Sequence, residues 1–220
     1  MERDMIYAIL GILGGIFTAS GDMLLDIKSK DNKKLGKYRI IDSYWDNMNV
    51  NRFKNSILLA SIGVPMIALG MISMAHQIGK GNAILGEVFF YTSLGIVVGG
   101  LFIHILICVL PVIYKTMRPQ CSFDDAEKVI NAVYDAIKIP FWIYYIIGVI
   151  APSGIIIWSL FAGYLKLSPW FTLLTIIPMF ASAIFLDKLK HDWFYDLPNI
   201  IVPSLSLSCI GLMSFLNQIM

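Results

Sequence analysis

The chain has 220 residues, of which 57% are apolar and 15% charged, and its net charge is +2. Soluble domains carry about 25% charged residues, so this composition excludes an ordinary soluble domain. The small net charge, with no basic face interleaved with aromatic residues outside the first loop, gives no indication of nucleic-acid binding.

Six stretches are long and apolar enough to cross a bilayer. A spanning helix needs about 20 predominantly apolar residues, because hydrocarbon offers the backbone no hydrogen-bond partners. In chain order, the predicted spans cover residues 5–25, 56–75, 84–114, 139–164, 168–186 and 198–217. The first stretch lacks the basic start of a secretory signal and ends in acidic residues, which favours a retained helix. The sequence therefore predicts an all-α fold, a single transmembrane domain over 1–220 with six spanning helices.

Residues 122–138 form an additional amphipathic pattern between the third and fourth spans. Ser122 and Asp125 resemble a capping box at a helix start. One face of the predicted helix is apolar and carries Phe123, Ala126, Ile130, Val133 and Ile137. We expect this helix to lie in the cytoplasm under the bundle and to lead into the fourth span at Pro140.

Orientation follows from the distribution of Lys and Arg. The connecting segments 26–55, 115–138 and 187–197 hold fourteen of the seventeen basic residues. Loops on the cytoplasmic side carry the excess of basic residues, so these segments are predicted to be cytoplasmic. The sequence thus predicts a multi-pass protein of the cell membrane with both termini outside.

The first cytoplasmic loop, residues 27–55, carries eight basic side chains with tyrosine and tryptophan interspersed. Basic juxtamembrane segments are attracted to anionic lipid of the inner leaflet. The alternative is that these charges only set the orientation. Membrane lipids are the expected partners, and assembly with further copies or other subunits is left open.

Two spans share a pattern of small and polar residues. Residues at the same spacing are Gly70, Ser73, Gln77 and Ile78 in the second span, and Gly211, Ser214, Gln218 and Ile219 in the sixth. Both spans run in the same predicted direction. The ends of spans one and five also match, with Leu24-Leu25-Asp26 in one and Phe185-Leu186-Asp187 in the other. Apolar sequence of low complexity produces such matches readily, so they do not establish an internal repeat.

Ionisable side chains within hydrocarbon are costly and usually face the protein interior or water. Asp22 lies 17 residues after the start of span one, and His104 lies 17 residues after Glu87 near the start of span three. The two residues should therefore lie at the same depth, about 25 Å from the outer end. Asp26, one turn after Asp22, should lie on the same face.

G-x-x-x-G patterns in spans one and three favour close approach of these two helices. We therefore expect spans one and three to be neighbours and to place Asp22 and His104 together, as a candidate binding or catalytic site with Asp26. In the alternative interpretation, these side chains are only hydrogen-bonded packing residues or reach the membrane interface.

Two further groups are weaker candidates. Glu87 and His76 lie near the outer ends of their spans, where they form either a second binding site or a solvated rim. Asp187 and His191 have the i, i+4 spacing of helical metal ligands. A protein zinc site needs at least three ligands, so the sequence predicts no metal and no cofactor.

Three classes of function remain open. The first is a protein that binds or translocates a small solute, ion or lipid through a cavity among the helices. The second is an intramembrane enzyme acting on lipid with Asp22, Asp26 and His104, although no complete catalytic constellation is present in the sequence. The third is a non-catalytic membrane subunit or scaffold.

Overall fold

The computed structural model describes residues 2–188 and 196–220, and these residues form an all-α bundle. The α-helices in this part are α1 (Glu2–Asp26), α2 (Val50–Gly81), α3 (Ala83–Met117), α4 (Phe123–Phe161), α5 (Ile176–Lys188) and α6 (Leu197–Ile219). A short antiparallel pair, β1 (Lys34–Leu35) and β2 (Ile41–Asp42), lies between α1 and α2. The predicted all-α helical bundle is thus confirmed.

Five of the helices, α1, α2, α3, α4 and α6, are long and apolar enough to cross a membrane. Their outer surfaces expose large apolar side chains; Val98 and Trp158, for example, are 69% and 64% exposed. Such a surface is unfavourable in water and favourable in hydrocarbon. The chain is therefore an integral membrane protein.

The predicted span over 168–186 differs in the structure. It consists of a 3-10 helix, Pro169–Leu174, followed by the 13-residue helix α5. Proline supplies no backbone N–H, so Pro169 and Pro178 are accommodated at the first turns of these two helices. The chain just before this segment lies at the C-terminal end of α6, where the Lys166 N–H donates to Asn217 Oδ1 at 2.6 Å.

The amphipathic stretch 122–138 is not a separate helix but the first part of the 39-residue α4. The predicted cap is present, since the Asp125 N–H donates to Ser122 Oγ at 3.2 Å. Pro140 lies inside α4, where neighbouring helices and helix adjustments allow a proline in a membrane helix. Ala126 and Ile130 on the apolar face are fully buried.

Helix α1 packs against α2 and α6, not against α3. A Cβ placed on Gly11 would lie 2.5 Å from the Gly70 Cα of α2 and 3.5 Å from the Gly211 Cα of α6. Gly99 in the G-x-x-x-G pattern of α3 faces Tyr144 of α4. The prediction that the two glycine patterns pair spans one and three is therefore wrong, because each small-residue face meets a different neighbour.

The related segments of α2 and α6 lie side by side. Ser214 Oγ donates to Ser73 Oγ at 2.8 Å. Gln77 Nε2 donates to the Ser214 carbonyl at 3.0 Å, and Gln218 Nε2 approaches Ser73 Oγ at 3.4 Å. Each glutamine thus reaches the serine of the other helix, so equivalent residues of the two segments face one another.

Residues 27–49, here called the hairpin cap, close one end of the bundle. The cap contains β1, β2 and the 3-10 helix Ser43–Asn47. The ring of Trp45 packs edge-on against Tyr114 of α3, with 5.6 Å between the ring centroids. Lys115 Nζ donates to the carbonyls of Trp45 and Asp46 at 2.8 and 2.9 Å.

The hairpin cap also contacts α4. The Lys37 N–H donates to Glu127 Oε1 at 2.6 Å, and Tyr38 donates to Asp135 Oδ2 at 3.1 Å. Gly36 has φ +80° and lies so close to Glu127 that a Cβ would be 2.9 Å from its Oε1. Glycine is therefore required here both by the backbone conformation and by the close contact.

A candidate binding cavity among the helices

A cavity of about 510 Å³ lies among the helices near the hairpin cap. All six helices contribute side chains to it, and α3, α4 and α6 form most of its wall. Its volume falls within the range of about 300–1,000 Å³ that is usual for small-molecule sites. The fold therefore contains a partly open space among the helices that is large enough for a ligand.

The wall of the cavity is apolar over most of its area and polar at one end. Aliphatic and aromatic side chains form the apolar part, among them Val64, Ile67, Ile96, Val97, Ile103, Phe141, Tyr145, Val149, Ile176, Phe180 and Leu207. The polar residues that line it are Thr18, Asp22, Asp26, Lys28, Lys34, His104, Asp196, Asn199 and Ser204. The wall of the cavity is thus two-faced: one part is apolar and the other is polar, as in an amphiphilic molecule.

Asp22 occupies the polar end on α1. Ser204 of α6 donates to Asp22 Oδ2 at 2.5 Å, and His104 Nδ1 of α3 lies 3.4 Å from Asp22 Oδ1. The structure therefore brings Asp22 and His104 together although α1 and α3 do not pack closely. The two side chains lie at the same depth, as the sequence predicts, and they meet at the cavity that both of them line.

His104 is held from its other side by Ser56 of α2, with 3.1 Å between Nε2 and the serine Oγ. Ser56 Oγ also contacts Cys108 Sγ at 3.4 Å. Serine, histidine and aspartate therefore follow one another as in a nucleophile, base and orienting acid. Ser56 is fully buried and does not line the cavity, so its hydroxyl positions the imidazole and is not placed to attack a ligand.

A cluster of charged residues forms the rim of the polar end. Lys28 Nζ pairs with Asp26 at 2.7 Å and with Asp42 at 2.8 Å, and Lys34 Nζ pairs with Asp42 at 2.8 Å. The Asp42 side chain is only 2% exposed and also accepts a hydrogen bond from Asn32 at 2.7 Å. Asp26 thus contacts the hairpin cap as well as lining the cavity.

The ion pairs determine the protonation states of Asp42 and Lys28. Burial by itself acts to raise the pKa of Asp42, but the charge and hydrogen bonds of Lys28, Lys34 and Asn32 outweigh it and hold the pKa below its usual value. Burial likewise acts to lower the pKa of Lys28, but the carboxylates of Asp26 and Asp42 raise it above its usual value. Both groups therefore stay charged near neutral pH.

The outer candidates are not brought together. His76 Nδ1 lies 2.9 Å from Asp4 Oδ1 and is accessible, whereas Glu87 is exposed at the start of α3. Gln77, next to His76, is buried and accepts a hydrogen bond from Asn217 Nδ2 at 2.5 Å. Among the described residues, no hydrogen bond or ion pair joins His76 to Glu87.

The metal candidates do not form a ligand set in the described part of the chain. Asp187 is partly buried near the end of α5, and His191 lies outside the described residues. No group of three or more His, Cys, Asp or Glu side chains that could hold a metal ion is present among residues 2–188 and 196–220.

Sequence reasoning missed the contributions of Asp42, Lys28 and Lys34 to the rim. These residues were read only as part of a basic loop. Nothing in the sequence distinguishes Asp42 from Asp31 and Asp46, the other acids of that loop, because burial becomes visible only in the folded chain. The role of Ser56 as a partner of His104 had no sequence signal either, since serine is common in membrane helices.

The fold and the cavity define a helical-bundle integral membrane protein with an internal two-faced site. The chain belongs to DUF6796, a family of unknown function, whose model matches residues 1–219. No curated protein matches the chain. No solved structure matches it either.

Proposed function

We propose that this protein binds an amphiphilic molecule from the membrane within the cavity. The apolar part of the ligand would lie between α3, α4 and α6, and its polar head would meet Asp22, His104 and Ser204. The observation that carries this proposal is the two-faced wall of a cavity of about 510 Å³.

Other ligand classes fit this wall less well. A bare ion would contact only the polar end and would leave the apolar space unfilled. A fully polar solute would lose its hydration against the apolar wall without gaining hydrogen bonds there, which costs free energy. A molecule with an apolar body and one polar head satisfies both parts of the wall.

The geometry favours binding over hydrolysis. Asp22 and His104 line the cavity, but Ser56, the potential nucleophile next to His104, does not. A general base must be within hydrogen-bond reach of the group that it activates, and that group must reach the substrate. The chain of contacts therefore supports a rigid polar end for recognition.

The expected orientation sets the side from which the head is reached. The polar end lies near the hairpin cap, which carries basic residues of the predicted cytoplasmic loop. With both termini outside, the head of the ligand would lie towards the cytoplasmic leaflet. A ligand that exchanges between this leaflet and the cavity would be either stored or translocated.

Filling the cavity tests the proposal. Gly100 lines the cavity, and a Cβ placed on it would meet no atom within 4 Å. Gly100→Leu should therefore place a side chain in the cavity without a clash of the backbone. Gly95→Leu is the matched control, because Gly95 also has open space and does not line the cavity.

Native mass spectrometry of protein purified in a mild detergent would measure the bound amphiphile directly. We expect the native protein and Gly95→Leu to retain an amphiphile, and Gly100→Leu to lose it. Equal retention by Gly100→Leu, or no retained amphiphile in the native protein, would contradict binding in this cavity.

A further inference from the structure

The second inference rests on the proposed function and concerns the head of the ligand. We propose that the polar end of the cavity selects a cationic head, an amine or quaternary ammonium group. Three independent features carry it: the charge balance of the rim, the accessible Asp22 carboxylate, and an aromatic surface at the same depth.

The positive charges at this end are already compensated. Lys28 and Lys34 line the cavity, and both pair with the buried Asp42. Carboxylates that line the same end belong to Asp22, Asp26 and Asp196. Among the described residues the carboxylates here, with Asp42, therefore outnumber the two ammonium groups, so an anionic head would meet net repulsion.

The carboxylate of Asp22 can accept further contacts from a ligand. Within the described part of the chain, its side chain contacts one hydroxyl, from Ser204, and one imidazole, from His104. A carboxylate has about four acceptor positions, so some remain open. The side chain is 17% exposed, and since it lines the cavity, this exposure lies where a ligand would bind.

Aromatic rings lie at the depth of Asp22. Gly99 of α3 faces Tyr144 of α4, and Ile96 faces Gly148, so the two helices run antiparallel in this register. In this register Phe141, three residues before Tyr144, lies opposite residues 102–103 of α3, within about one helical turn of His104. Phe141 and His104 both line the cavity.

The ring of Phe141 stacks on that of Tyr145, with 5.9 Å between centroids and 17° between planes. Both rings belong to the wall of the cavity. An aromatic face attracts an alkylated ammonium group and gains most where water is excluded. A carboxylate on one side and aromatic rings on the other form the surroundings that such a head requires.

Three probes that share an octyl tail and differ in the head group test which head the cavity prefers: octyltrimethylammonium, octylphosphocholine and octyl phosphate. Their apparent Kd would be measured by native mass spectrometry on the full chain, with Gly100→Leu as the baseline for binding outside the cavity. We expect octyltrimethylammonium to bind about tenfold more tightly than octyl phosphate. If octylphosphocholine binds and its binding depends on Asp22, the natural ligand is a phospholipid with a cationic head group. If octylphosphocholine does not bind, the natural ligand is a simple cationic amphiphile.

Variants test the residues. Asp22→Asn, which keeps the hydrogen-bonding shape, and Phe141→Leu, which keeps an apolar wall, should each reduce the preference for the cation. Asp124→Asn, at an exposed position at the start of α4, is the charge-matched control and should leave the preference unchanged.

Two patterns of probe binding would overturn the inference. One is octyl phosphate binding as tightly as the cation or more tightly. The other is a cation preference that survives in both Asp22→Asn and Phe141→Leu. If the native chain retains an amphiphile that Gly100→Leu loses but binds none of the three probes, the head inference fails and the proposed function stands. If Gly100→Leu changes nothing, the proposed function fails first.

Discussion

Gly11 of α1 lies directly against Gly70 of α2, so that a Cβ on Gly11 would be 2.5 Å from the Gly70 Cα. Backbones this close allow extensive van der Waals contact, which is a main source of helix association in membranes. Gly211 of α6 approaches the same point, since its Cα would be 3.5 Å from that Cβ. Three helices therefore meet at one glycine contact.

Gly11→Ala should destabilise the fold because the new methyl group forces α1 away from α2. Overpacking of this kind costs about 1–3 kcal/mol. Unfolding in mixed micelles of SDS and a mild detergent would measure the change. Gly95→Ala, at a position with open space, is the control and should not lower the stability. Equal stability of Gly11→Ala and the native protein would contradict the close contact.

Replacing Ser73 and Ser214 by cysteine should give a disulfide on oxidation, because their Oγ atoms are 2.8 Å apart. The three native cysteines, Cys108, Cys121 and Cys209, would first be replaced by alanine. Electrophoresis with and without reductant would detect the cross-link after cleavage at an engineered site between the helices. Cysteines at Ser73 and Ser208 form the control pair, since Ser208 lies about 9 Å further along α6. Cross-linking of the control alone would contradict the register of α2 and α6.

The charged rim predicts a pH window for stability. Asp42 has a lowered pKa in the folded protein, so its contribution is present above about pH 3.9 and is lost as pH falls through the folded pKa. Lys28 has a raised pKa, so its contribution is present below about pH 10.4 and is lost as pH rises through the folded pKa. Between these limits the rim should contribute a constant stabilisation, measured as the midpoint of thermal unfolding.

Asp42→Asn should remove this contribution. Among the described residues, the substitution removes the ion-pair partner of Lys34 and leaves Lys28 paired with Asp26. Breaking a buried pair such as Lys28–Asp42 costs about 3–5 kcal/mol. The decrease in thermal stability on acidification should then be smaller than in the native protein, because one group with a lowered pKa has been removed. Asp31→Asn, an exposed acid of the same loop, should behave as the native protein. An unchanged acid profile in Asp42→Asn would rule out this role.

The orientation is tested at the last residue. A fluorescent protein that matures only in the cytoplasm, fused after Met220, should stay dark in a membrane-located product, because the distribution of basic residues predicts that both termini lie outside. Alkaline phosphatase fused at the same position should be active. Bright fluorescence with inactive phosphatase would reverse the orientation, and with it the side to which the head of the ligand is exposed.

Much of the helical layout could be predicted from the sequence, because hydrocarbon tolerates few charged residues and hydropathy detects their absence. The stretch 168–186 was the exception. Hydropathy counts apolar residues but does not register that Pro169 and Pro178 start separate helical segments. The stretch 122–138 could be predicted as helical. That it continues through Pro140 into the next span could not, because the continuity depends on packing against neighbouring helices.

The site was predictable only in part. The matched depth of Asp22 and His104 is a property of helix rise, which the sequence contains, but depth alone does not bring two helices together. The glycine patterns were assigned to the wrong pair, because a small-residue face shows that a helix approaches a neighbour but not which one. Asp42 lies far from Asp22 in sequence, and only the folded hairpin cap brings it to the same end of the cavity.

Helix α5 forms a wall one helix thick between the surrounding lipid and the proposed site. Ile184 and Phe185 face outwards, 52% and 65% exposed, so lipid chains contact this side. Phe180 of the same helix lines the cavity. A displacement of α5 would therefore open the cavity sideways to the bilayer, and a lipid tail would reach the site without passing between the other helices.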